Sequence, residues 1–162
     1  MSGSGKRWLS RAEHAKRKGK ATARLGAVQA LYQEEMDGTP LAKLLNEFHQ
    51  HRLGAEIEDV QYADANIDLF DDIVKGALAR RDEIDTVIAG SLPEGWAVDR
   101  LDRPLRQILR CGTYEMIARI DIPTNAIVSE YVDLADAFGG GPEKAFVNGV
   151  LAAIGRNTRG GA

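Results

Sequence analysis

Apolar residues along this chain recur at intervals of three and four, and no stretch of β-branched residues alternates in steps of two as a half-buried strand requires, so the sequence builds helices. The clearest case is Leu105, Ile108, Leu109, Gly112, Met116 and Ile120, which fall on one face of a helical wheel. A low aromatic content of 6% and an abundance of alanine and leucine point the same way, to an all-α domain.

Proline and glycine set the helix limits. A first helix is predicted from about Thr22 to Met36, burying Leu25, Val28, Leu31 and Tyr32 and stopping at Asp37-Gly38. Thr39 and Pro40 open a second, with Leu41, Leu44, Leu45 and Phe48 inward, which fades from His49 to Glu58. Tyr62 to Ala89 reads as one long helix or two joined near Arg81-Asp82, closed by Leu92-Pro93-Glu94-Gly95. Asp102 and Pro104 begin a fifth segment, and Pro123 begins a sixth that ends at Phe138-Gly139-Gly140-Gly141. Pro142 begins the last, which turns Phe146, Gly149, Val150 and Ala153 inward. The expected organisation is a basic flexible arm over residues 1–19, a helical domain over 20–156 and a frayed tail over 157–162.

A chain of 162 residues fits one domain and buries roughly two-thirds of its unfolded surface without staples. Its single cysteine, Cys111, excludes an internal disulfide, and three histidines are too few and too scattered for a zinc framework. No run of about eighteen apolar residues occurs, and the basic start lacks the apolar stretch of a secretory signal, which makes the cytoplasm the default compartment.

Charge is distributed unevenly. The first twenty-four residues hold Lys6, Arg7, Arg11, Lys16, Arg17, Lys18, Lys20 and Arg24 against one acid, Glu13, or +7; with −3 overall, the remainder carries −10. Such a start is either a solvated tail or an arm that meets a polyanion. In the fifth helix Arg103, Arg106 and Arg110 lie within about 60° of one another. Arg103 follows Asp99 by four residues and Arg106 follows Asp102 by four, so both can form surface ion pairs. Arg110 has no acid three or four residues away, which leaves its charge for a phosphate or for an acid on another helix.

Asn148-Gly149 interrupts the last helix at a cost of about 1.5 kcal/mol. Close packing of a neighbouring helix against Gly149 offsets such a cost, while Asn148 can donate and accept toward a nucleotide edge. Phe146 fits the core by spacing, and an aromatic near cations also suits base stacking.

Enzymatic and metal readings are weak. The acidic face of Asp64, Asp68, Asp71 and Asp72 complements a helix dipole without a metal, and Gly139 to Lys144 lacks the strand and the ending of a phosphate loop. His49-Gln50-His51 reads as a polar helix end, and Cys111 as a packed thiol. No cofactor and no catalytic pair is implied.

Three stretches resemble the transcription antitermination factor NusB family: Ala27 to Tyr32, Leu101-Asp102 to Arg110 with Tyr114-Glu115, and Phe146-Val147-Asn148-Gly149-Val150-Leu151. The likeness spans about Lys20 to Ile154, with Ile122-Pro123 and the Phe138-Gly139 turn. It implies about seven helices in two small bundles and no catalysis. It further implies binding of boxA-type RNA in ribosomal RNA transcripts together with NusE, a small-subunit ribosomal protein, so that RNA polymerase resists termination. By position, Lys20, Arg24, Arg110, Phe146 and Asn148 match the family's RNA face, with Lys16, Arg17 and Lys18 able to stand in where Ala21 and Thr22 replace arginines. Tyr32 matches a tyrosine on the partner side, and Pro142 departs from a loop that is often acidic. A helical interaction module without RNA specificity is the blander alternative. A free-standing relative of the RNA-binding front of ribosomal RNA cytosine methyltransferases is the other.

Overall fold

The computed structural model describes residues 11–51, 56–57, 60–61 and 66–160. Lys6 and Arg7 of the basic start, the predicted helix start from Tyr62 through Asp64, and the last two residues of the tail lie outside the described residues. Seven α-helices occur within this range: α1 (Arg11–Asp37), α2 (Leu41–His51), α3 (Ile67–Ala79), α4 (Arg81–Ser91), α5 (Arg103–Ala118), α6 (Thr124–Phe138) and α7 (Gly141–Thr158). Between α2 and α3 stands a minimal antiparallel pair, β1 (Glu56–Ile57) and β2 (Val60–Gln61), with Ile57 opposite Val60. A 3₁₀ turn over Val98–Arg100 leads into α5.

Helix α1 begins eleven residues earlier than the Thr22 expected from sequence. Gly19, read as the end of an arm, is a buried residue inside the helix, and its carbonyl accepts a hydrogen bond from the Asn66 amide at 2.9 Å. Alanine, lysine and arginine around it are good helix formers and carry the helix through the glycine. Asp37-Gly38 does stop α1, Gly38 taking φ +70° as a left-handed helix end requires. The long pattern ending near Ala89 is two helices. Asn66 caps α3 by accepting from the Leu69 amide at 2.9 Å, and Arg80, at φ −110° and ψ 24°, breaks the path between α3 and α4.

Helices α1, α2 and α3 form one bundle and α4, α5, α6 and α7 the other, with α1 and α3 packed on α5 to join them. Their buried side chains make one continuous core, in which Phe48, Phe70, Ile84, Ile108, Leu109 and Tyr131 are almost wholly covered. Each such aliphatic or aromatic side chain contributes about 1.5–3 kcal/mol relative to exposure. Among the apolar residues of the helical patterns, Leu41 and Ile67, each the first residue of its helix, and Ile120, which lies beyond the end of α5, are exposed, as is Tyr32 on α1. Periodicity alone does not register that a helix end overhangs the core.

Of the tail expected to fray, Asn157 and Thr158 continue α7 and Arg159 is anchored. Arg159 donates to the carbonyls of Met116 at 2.9 Å, Ile122 at 2.6 Å and Arg119 at 2.9 Å, satisfying groups that the end of α5 leaves without helical partners. The glycines of α5 and α7 exchange roles. A methyl group at Gly112 would stand 2.9 Å from a Leu151 methyl and 3.3 Å from the Tyr131 ring, so α7 and α6 approach α5 there. At Gly149 a methyl would meet nothing within 4 Å, which corrects the reading of Gly149 as an inward packing site. Gly112→Ala should therefore destabilise the fold by about 1–3 kcal/mol. Gly149→Ala should stabilise it by up to about 1 kcal/mol. Urea unfolding of the two variants checks the opposite signs.

Candidate nucleic-acid interface

The cations read from the sequence divide into two populations. Lys16, Arg17, Lys18 and Lys20 are exposed along the first half of α1. Lys20 also borders a small polar recess, about 200 Å³, shared with Asn66 at the start of α3 and Arg119 at the end of α5. All four lie on one continuous helix, with Lys16 and Lys20 on one face and Arg17 and Lys18 turned progressively away from it, so the cations surround the exposed first half of α1.

Arg24, one turn further on, is 5% exposed and faces inward. Its Nε and Nη2 donate to the two carboxylate oxygens of Glu115 at 2.8 and 2.9 Å, and Glu130 lies 3.7 Å from Nη1. Tyr131 also donates its hydroxyl to Glu115, which is completely buried. Burial works against the Arg24 charge, but the Glu115 carboxylate outweighs it and holds the guanidinium above its ordinary range. The same burial and the facing Glu115 push the Tyr131 phenol up. Arg24 is thus the partner of a buried acid, and the sequence-based placement of it on an outer cationic face is corrected.

Arg110 is corrected in the same way. Its guanidinium makes a two-pronged contact with Asp85 of α4, Nε and Nη2 each donating at 2.8 Å, and its Nη1 donates to Glu35 of α1 at 3.1 Å and to Gln107 at 3.3 Å. The residue is 8% exposed. With no acid three or four residues away on its own helix, its charge was left for partners on two others. Arg106 joins the same cluster through Glu35 at 2.8 Å, and its other nitrogens bind the carbonyls of Val98, Asp99 and Leu101. Arg103 stays exposed and donates to the Met36 sulfur. Glu35 is fifteen residues beyond Lys20, about 22 Å along α1, so Arg110 does not converge with the basic start.

Phe146 and Asn148 sit on α7. Phe146 is half-buried and Asn148 is exposed. The Phe146 ring lies 4.9 Å from that of Trp96, a contact that sequence spacing does not reveal because the two belong to distant segments. Tyr32, expected in the core stripe of α1, is 38% exposed. It lines a mostly apolar groove of about 580 Å³ with Val28, Gln29, Met36, Pro104 and Phe138. A second recess continues past Tyr32 and Phe138 to Asp102, Arg103 and Glu143, giving the groove a charged margin with one more acid than base.

With this arrangement in view, likeness to known proteins becomes specific. Residues 21–156 match the model of the NusB family. The chain is 61% identical over 140 residues to the transcription antitermination protein NusB of Sphingopyxis alaskensis, covering 86% of this chain and 94% of that one. It is 57% identical to the NusB of Novosphingobium aromaticivorans, covering 88% and 96%. The chain belongs to the NusB family. Among solved structures, antitermination factors NusB and NusE in complex with double-stranded RNA match with a TM-score of 0.69 at 25% identity, covering 85% of this chain and 96% of that one. The solution structure of NusB from Aquifex aeolicus matches with a TM-score of 0.68 at 27% identity, covering 88% and 90%. The matched span includes both ion-pair clusters and the Phe146-Asn148 segment of this NusB-family chain, and excludes Lys16, Arg17, Lys18 and Lys20.

Removing one member of a buried ion cluster leaves its partners unpaired. Arg110→Ala should lower the unfolding free energy by about 2–3 kcal/mol, read by urea denaturation. Burial raises the Glu35 carboxyl, but hydrogen bonds and charge from Arg106 and Arg110 outweigh this and hold it below its ordinary value. Its contribution is complete above the ordinary carboxylate range and is lost as pH falls through the depressed folded value. Glu35→Gln should reduce stability at neutral pH and flatten the acid-side loss, measured by unfolding from neutral pH to about pH 3.

Proposed function

We propose that this chain is a non-catalytic RNA-binding adaptor of transcription antitermination, holding boxA-type RNA of ribosomal RNA transcripts together with NusE so that RNA polymerase resists termination. The observation that carries this reading is family membership across the folded domain, joined to the exposed cations around the first half of α1. Lys16, Arg17, Lys18 and Lys20 are the phosphate contacts, since their charges are not consumed inside the fold. Phe146 and Asn148 contact bases. Arg24 and Arg110 act on RNA only by fixing the helices that carry the RNA-facing residues.

NusE is assigned to the groove beside Tyr32. Its apolar floor suits insertion of side chains from another protein, and Asp102 and Glu143 at its margin, which outnumber the single Arg103, suit a basic partner such as a ribosomal protein. No catalytic role is assigned. Cys111 is the single thiol, and burial followed by the nearby Glu115 pushes its ionisation well up, so it is no nucleophile at neutral pH. Among the described residues no helix is long and apolar enough to cross a membrane. Work on nascent transcripts implies a cytoplasmic protein.

The test is a filter-binding titration at several salt concentrations with boxA-type RNA, its scrambled counterpart and a duplex. The full-length protein should prefer the boxA-type strand. Combined Lys16→Ala, Lys18→Ala and Lys20→Ala should weaken binding and flatten the log–log salt slope by about 0.7 for each phosphate no longer neutralised, with thermal stability unchanged. An unaltered slope removes the start of α1 from the interface, and equal affinity for the scrambled strand removes the boxA assignment.

A further inference from the structure

Most large apolar side chains left exposed among the described residues have an evident reason. Tyr32, Met36 and Phe138 line the groove assigned to a protein partner, and Leu41, Ile67 and Ile120 overhang the core at helix ends. Trp96 has neither reason. It is 53% exposed, yet it is held firmly from two sides. Its amide donates to the Pro93 carbonyl at 3.1 Å, closing a turn in which Gly95 takes φ +91°, the left-handed value that a type II turn needs at its third position. Its ring rests against Phe146 of α7 with centroids 4.9 Å apart and planes inclined by 37°. One aromatic therefore braces another that remains largely in water.

The surroundings favour a flat ligand. Gly149 follows Phe146 by three residues on the same side of α7, and open space lies where its side chain would be, so backbone is accessible beside the rings. Asn148, two residues from Phe146, projects about 200° away around α7, so its exposed amide does not border the rings. The adjoining turn holds Glu94 and Asp99 as well as Arg100, all exposed, so the patch has no excess of positive charge to attract phosphates. A braced aromatic surface with open backbone at Gly149 beside it suits the π-face of a base.

We propose that Trp96, braced by Phe146, is a stacking platform for an unpaired base of the bound RNA, placed apart from the phosphate-binding cations of α1. This inference rests on the RNA-binding reading above and adds a residue to it. Stacking on Trp96 contributes affinity independent of salt, whereas the α1 lysines contribute the salt-dependent part.

The full-length chain and its Trp96→Ala, Trp96→Phe and Trp96→Leu variants are titrated with boxA-type single-stranded RNA at several salt concentrations, with NusE binding measured in parallel. Trp96→Ala should weaken RNA binding by roughly 5- to 150-fold with an unchanged salt slope. Trp96→Phe should recover part of the loss, and Trp96→Leu should not. Because Trp96 stands at the surface, thermal unfolding of the variants should stay near that of the parent, and the Phe and Leu variants both preserve apolar cover over Phe146. Unchanged affinity in Trp96→Ala overturns the stacking role while leaving the RNA-binding reading intact. Equal recovery by Phe and Leu reduces Trp96 to packing and also overturns it. Loss of NusE binding with RNA binding retained assigns the ring to a protein interface instead and overturns it too. If the parent chain itself does not bind the RNA, the broader reading fails and this one with it.

Discussion

Glu115 is a wholly buried carboxylate, and the architecture depends on keeping it paired. Arg24 grips both of its oxygens from α1 and Tyr131 donates to it from α6, so one acid on α5 fastens three helices and joins the two bundles. An unpaired carboxylate at that depth is very costly, which ties the positions of the helices to one another. A second cluster does the same at the other end of α1, where Arg106 and Arg110 meet Glu35 and Asp85 across α1, α4 and α5. Between these two cross-links the apolar face of α5 packs against its neighbours without room for a side chain at Gly112.

This use of charge determines what is left for the surface. Arginines that look equivalent along the sequence are separated by the fold into structural and available ones. Those directed inward stiffen the domain, and the lysines at the start of α1 remain free to meet a polyanion. Under the proposed function, RNA recognition divides between a salt-sensitive surface along α1 and an aromatic surface at Phe146 and Trp96 on other elements of the fold. The apolar groove at Tyr32, with Asp102, Arg103 and Glu143 at its margin, is a third surface of different chemistry.

Much of the fold is legible in the sequence because it rests on local rules. The stop at Asp37-Gly38, the break near Arg81, the start after Pro123 and the glycine-proline junction before α7 each follow from backbone restrictions of one or two residues. The apolar stripes of α3 and α5 are legible for the same reason, since a 3.6-residue period is a property of a single helix. Family membership is legible too, carried by Phe146 to Leu151 and by the segment around Leu101 to Arg110.

The candidate site is less completely legible, and the gaps share a cause. Arg110 looks free when only its own helix is in view; Asp85 and Glu35 are 25 and 75 residues away in sequence. Trp96 reads as part of a turn because its support, Phe146, is on another helix. Gly149 reads as a packing site because the sequence cannot tell which side of α7 has a neighbour. The sequence by itself determined most helix limits, the main apolar stripes and the family to which the chain belongs, because those depend on short-range sterics, periodicity and motif. Only the tertiary structure decided which charges are spent and which are offered, because ion pairing depends on distances between helices that no local pattern encodes.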